Sequence, residues 1–182
     1  NPTDDVAARK TPFFERTIRQ VGDYIAFTLL AKRFDSLEHQ LAGLGVPPES
    51  VDYVAFDHFH SQDLRGLLGT RDGAHAARFP NAKLLAQRAE WDDWDDLHPL
   101  QRAWFVAEGK AGVRTDRVAL LDGDFELGDG ALLLRTPGHT RGHQTLLVNT
   151  PDGIWGVGEN GVSADNWSPH ESRIAGLART AR

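Results

Sequence analysis

DSLEHQLAGLGVPPESVDYVAFDHFH, residues 35–60, reads in order as a helix, a turn, a strand and a pair of histidines. Asp35 is placed to cap a helix over residues 35–44, and Glu38, three residues on, completes a capping box. Leu37, Leu41 and Leu44 recur at i, i+4 and i+7 on one face. Gly45 ends that helix and Pro47-Pro48 prevents a restart. A strand over residues 52–56 follows, and His58 and His60 come just past its end. This is the layout of an α/β unit whose site lies beyond the carboxyl end of a strand.

His58 and His60 are two residues apart, so in extended backbone their side chains leave the same side. Two imidazoles so placed can both reach an ion about 2 Å away. Phe59 between them is expected to face apolar packing. A third histidine, His139, lies in the glycine-rich turn TPGHTRGH, residues 136–143. Closure of the three imidazoles around one ion depends on the tertiary fold.

Working outward, residues 11–23 read as a short helix or an arm, and residues 24–30 as a buried strand or the start of a helix. Residues 62–68 read as a short helix or turn ended by Gly69, and residues 83–87 as a strand. EWDDWDD, residues 90–96, reads as a solvated helix start with its tryptophans packed inward, with a lid or partner surface as the alternative. A helix is expected over residues 98–110, with Leu100, Trp104 and Ala107 on one face. Short strands follow over residues 117–121, 125–127, 131–135, 144–149 and 154–157, joined by glycine-rich turns. The last segment, residues 169–182, reads as a helix.

The bulk properties narrow the function classes. A chain of 182 residues is one domain's worth and can bury a core without staples. A net charge of -6 argues against nucleic acid or an anionic membrane as partner. There are no cysteines, so disulfides and thiolate metal sites are excluded. No apolar run reaches the ~18 residues a membrane span needs. Methionine is absent even at position 1, so the ends are read as open to incompleteness. A cytoplasmic protein is expected, and five tryptophans leave room for a homo-oligomer interface. Phosphate-loop, dinucleotide and Ser-His-Asp signatures are absent.

From Phe34 to Asn160 the ordered motifs resemble the metallo-β-lactamase fold superfamily, in particular its lactonase-like hydrolases. The resemblance rests on the helix–turn–strand into DHFH, on FPNAKLLAQRAEW (79–91), on LDGDFELGDGALLLRTPGHTRGHQTLLVNTPDG (121–153), and on GVGEN (156–160). It implies a four-layer αββα sandwich forming a single domain over residues 1–182, with room for incompleteness at one or both ends. It also implies metal ligation by His58, His60 and His139. The family's H-x-H-x-D-H motif stands here as His58-Phe59-His60-Ser61-Gln62-Asp63, so Gln62 replaces an aspartate and Asp63 a histidine. Glu159 stands in place of a bridging aspartate. His143 is implied to pack or hydrogen-bond and not to ligate.

The expected chemistry is hydrolysis of an ester, lactone or amide of a small molecule by a metal-activated water. Asp63 and Glu159 are candidate ligands, and either could orient the water or take its proton. One zinc ion suits three histidines, with iron or manganese favoured if both acids bind and a second ion left open. Arg65 and Arg141 are candidates to replace a missing second ion. Asp57 is placed to support an imidazole N–H or a backbone turn. The rival readings are a degenerate binding or structural member of the fold, and an iron-dependent redox protein on the same scaffold.

Overall fold

The computed structural model describes residues 5–29 and 35–158. Helices α1 (Asp5–Arg9) and α2 (Pro12–Val21) form an N-terminal arm. Next come α3 (Leu37–Gly43) and the first strand, β1 (Tyr53–Ala55). Helix α4 (Arg65–Leu68), strand β2 (Lys83–Gln87) and helices α5 (Arg88–Asp93) and α6 (Pro99–Arg102) follow. Strand β3 (Val118–Leu121) completes a parallel sheet in the order β1-β2-β3. Four further strands, β4 (Phe125–Gly128), β5 (Ala131–Arg135), β6 (Gln144–Thr150) and β7 (Gly153–Val157), form an antiparallel meander.

Strand alternation explains how the two sheets stack. On β2, Leu84 and Ala86 point into a core with Leu67, Leu68, Phe79, Trp94 and Phe105. Leu85, one residue out of phase, packs instead with Leu121 and Leu133. The parallel sheet therefore has helices and loops on one face and the antiparallel sheet on the other. Full burial of each leucine stabilises the stack by about 1.5–3 kcal/mol. The layers read as α, β, β, in agreement with the expected α/β fold. All five residues of β7 are exposed.

Two buried glutamines join the sheets. Gln144, at the start of β6, donates through its side chain to the carbonyls of Phe56 and Leu85. Its backbone N–H donates to the Asp57 carbonyl. Gln87, at the end of β2, donates to the Gln144 side-chain oxygen and to the Gly123 carbonyl. These bonds hold the end of β1 against the start of β6, which is where the two histidine loops begin and end.

Several expectations are corrected. Of the two readings of residues 24–30, the helical one holds for the described part and the strand does not: Ile25–Leu29 is a helical turn continuous with the arm, Ala26 N–H donates to the Gly22 carbonyl, and Tyr24 is exposed. The cap of α3 is Ser36, whose hydroxyl accepts from His39 N–H, one residue beyond the expected Asp35. Of its three leucines only Leu41 packs on the core, while Leu37 and Leu44 are exposed. Gly45, at φ 69°, ends the helix as expected, with Val46 N–H donating to the Leu41 carbonyl.

The helix expected over residues 98–110 is reduced to Pro99–Arg102. The remainder turns back so that its carbonyls serve the histidine loop: Ser61 N–H donates to Trp104 and Leu64 N–H to Gly109. Gly109 lies so close to the Gln62 carbonyl and the Trp94 ring that a Cβ there would sit 2.6 Å from each. The expected helix over residues 169–182 lies outside the described residues.

Candidate metal centre

His58 and His60 leave the end of β1 on the same side, while Phe59 turns into the core and is fully buried. The chain then reverses at Ser61, a non-glycine residue at φ 59°. Its N–H bond to the Trp104 carbonyl, 2.7 Å, holds that conformation. His139 arrives from the loop between β5 and β6. The three rings form a near-equilateral triangle, with centroids 4.5, 4.6 and 4.8 Å apart. One nitrogen from each lies within 4.8 Å of the others. His58 is buried and the other two half-buried, so the cluster opens to solvent on one side.

The hydrogen bonds indicate which nitrogens face the centre. His60 Nε2 contacts the side-chain oxygen of Gln101, whose side-chain N–H in turn donates to the His139 carbonyl at 3.0 Å. With Nε2 carrying the proton, His60 Nδ1 keeps a lone pair, and it faces His139 Nε2 at 3.1 Å. Two nitrogens each about 2.05 Å from a tetrahedral zinc would be about 3.3 Å apart. His58 Nδ1 is buried without a hydrogen bond. It lies 3.1 Å from Asp57 Oδ1, an ion-pair distance outside hydrogen-bond geometry; the same carboxylate oxygen accepts the His58 backbone N–H. Three converging imidazoles, one with an orphaned buried nitrogen, fit a divalent cation.

Burial holds the His60 pKa down at about 4, and the neighbouring His58 and His139 push the same way, against the Gln101 hydrogen bond. The ring is thus neutral at pH 7, the state that ligates. The sign for stability follows. With a folded pKa near 4 and an unfolded value of 6.5, the unfolded chain binds more protons between those limits. The contribution of His60 to the stability of the metal-free protein is expected to be fully present above about pH 6.5 and to be lost as pH falls toward 4. Urea midpoints at a series of pH values check this. A His60→Ala variant with the same pH slope as the parent would remove His60 as the cause.

The other predicted site residues are placed as follows. Asp63 is buried, but both its oxygens are engaged by the Arg65 guanidinium, and Oδ1 also accepts the Arg65 backbone N–H. It belongs to neither of the two metal-capable groups among the described residues. Arg65 is therefore occupied, and Arg141 is exposed and paired with Asp93. Glu159 lies outside the described residues. His143 is fully buried, with Nδ1 2.8 Å from the Thr136 hydroxyl and its ring stacked at 5.7 Å on His58. With Asp57 and His58 it forms the second metal-capable group.

Two residues of the site escape a reading of the sequence. Gln101 falls within the long helix expected there. Glu90 falls in a segment expected to be solvated, yet it is 3% exposed. It accepts from Phe59 N–H at 3.0 Å, from the Thr140 hydroxyl, and from Gly142 N–H at 3.3 Å. The expectation for the tryptophans of that segment holds for Trp94, which is buried in the core.

No family model matches the sequence. Over 123 residues the chain is 33% identical to the N-acyl homoserine lactonase AttM of Rhizobium radiobacter, covering 62% of this chain and 41% of that protein. The chain thus spans less than half the length of this curated relative. In three dimensions it is similar to a Staphylococcus aureus protein assigned as a metal-dependent hydrolase. The TM-score is 0.58 at 21% identity, over 80% of this chain and 48% of the other. It is also similar to a Thermotoga maritima protein assigned to the metallo-β-lactamases, with a TM-score of 0.51 at 18% identity, over 80% of this chain and 67% of the other.

Proposed function

We propose that this chain, a lactonase-like member of the metallo-β-lactamase fold, is a metal-dependent hydrolase that opens a lactone or ester, with N-acyl homoserine lactones as the first substrate class to test. The observation that supports it most directly is the convergence of three imidazoles where the two sheets are tied together. His58, His60 and His139 are the proposed ligands, and zinc is the proposed ion because three neutral nitrogens suit it. When bound, such an ion polarises a carbonyl and lowers the pKa of a water molecule it holds.

The chain's own residues do the rest. Gln101 orients the His60 ring and ties it to the His139 backbone. The open side of the cluster, beside half-buried His60 and His139, admits the substrate. Asp63 and Glu159 are the acids proposed to orient the water or accept its proton. Asp63 can do so only by giving up its bonds to Arg65. The chain is proposed to act as a single domain.

The test is to purify the protein without chelator, measure metal per chain, and follow opening of N-hexanoyl homoserine lactone by acid release. Near-stoichiometric metal, with activity lost to EDTA and restored by zinc, is the expected result. A folded protein that takes up no metal would overturn the hydrolase and favour the non-catalytic reading. Metal uptake with cleavage of an aryl ester but not the lactone would keep the mechanism and change the substrate class.

A further inference from the structure

We infer that Glu90 is the positioning residue that locks the two histidine loops into one metal-binding geometry. Its carboxylate bonds both loops at once. One oxygen takes the N–H of Phe59, the residue between His58 and His60. The other takes the Thr140 hydroxyl and the Gly142 N–H, which follow His139 in the same turn. These partners lie 31, 50 and 52 positions away in sequence, so no local structure supplies the link. Gly142 packs against the Glu90 backbone with no room for a side chain, which brings the loop close enough for the bonds to form.

The charge of Glu90 also has a purpose. A buried carboxylate held by two amides and a hydroxyl is costly to desolvate. A divalent cation held by three neutral imidazoles on the loops it braces would offset part of that cost. The position suits a brace, because Glu90 lies on α5, three residues past the end of β2. That strand is the central one of the parallel sheet, and so the most rigid part of the scaffold.

This inference rests on the metal-centre reading above, and the experiment separates the two. Zinc affinity is measured by competition with a chromophoric chelator, and cobalt(II)-loaded protein is examined for its d–d spectrum. Glu90→Gln keeps the reach but has one acceptor oxygen instead of two, so one loop faces an amide N–H. It is expected to lose about 10–100-fold in zinc affinity and to change the cobalt spectrum. Thr140→Val, which removes one of the three bonds, is expected to lose less in the same direction. It decides the question if Glu90→Gln does not fold. Leu133→Ala, a core truncation in the antiparallel sheet, lowers stability and is expected to leave both readouts unchanged. Wild-type affinity and spectrum in Glu90→Gln, or an equal loss in Leu133→Ala, would overturn the positioning role while the metal centre stands. A wild-type protein that binds no zinc overturns both.

Discussion

Replacing His139 with alanine is expected to remove tight metal binding while leaving the fold in place. The outer-shell partners of metal ligands are worth about 10–100-fold in affinity, so loss of one of three proposed ligands should exceed about 100-fold. The proposed lactone opening should fall with it. The fold should survive because the turn is held through its backbone: Gln101 donates to the His139 carbonyl, Gly138 N–H donates to the Thr140 carbonyl, and Thr136 N–H donates to the His143 carbonyl. None of these needs the imidazole. A second readout follows from electrostatics. His139 is one of the groups that depress the His60 pKa, so the His60 pKa should rise in the variant, measurable by NMR titration of the metal-free protein. Metal analysis and a urea titration together give the test. Unchanged metal content in a folded His139→Ala protein would remove His139 from the site.

Gly142→Ala is expected to be the most disruptive single-methyl change in the molecule's site region. A Cβ there would lie 2.6 Å from Glu90 Cα and closer still to its backbone N and its Cβ, and none of these atoms belongs to a flexible side-chain end. Overpacking of this kind costs typically 1–3 kcal/mol, and a clash with backbone belongs at the upper end, about 3 kcal/mol. The loop cannot relax without pulling Thr140 and Gly142 away from Glu90 and shifting His139 and His143. Stability and metal affinity should therefore fall together. Gly66→Ala is the contrast: it sits in α4 with nothing within 4 Å of its added methyl, and the better helix former should leave stability level or raise it by up to about 1 kcal/mol. Denaturation midpoints of the two variants check both. Equal midpoints would show that the loop yields at Gly142 and that its approach to Glu90 is not a rigid constraint.

The contrast between the expected and observed elements has a common physical cause. Strands β2 and β5 run over the residues expected, and β6 and β7 differ by one residue at one end, because short apolar runs bounded by glycine turns are local signals. The helix expected over residues 98–110 fails because long-range partners outcompete it. The carbonyls of Trp104 and Gly109 are used by Ser61 and Leu64, 43 and 45 positions upstream. Glu90 is illegible for the same kind of reason. Within EWDDWDD it looks like one acid among several, and only donors from two distant loops bury it.

The histidine spacing and the strand before it are set by the sequence alone, since a two-residue step in extended backbone dictates that His58 and His60 share a side and Phe59 does not. The order of elements and the turn around His139 are local in the same sense. Which atoms meet across that turn was decided only in three dimensions. The 3.1 Å approach of His60 to His139, the Gln101 bridge, the diversion of Asp63 to Arg65 and the burial of Glu90 each join residues through contacts that compete with other partners. Such competition is settled by packing and desolvation over the whole fold, and no window of sequence contains it.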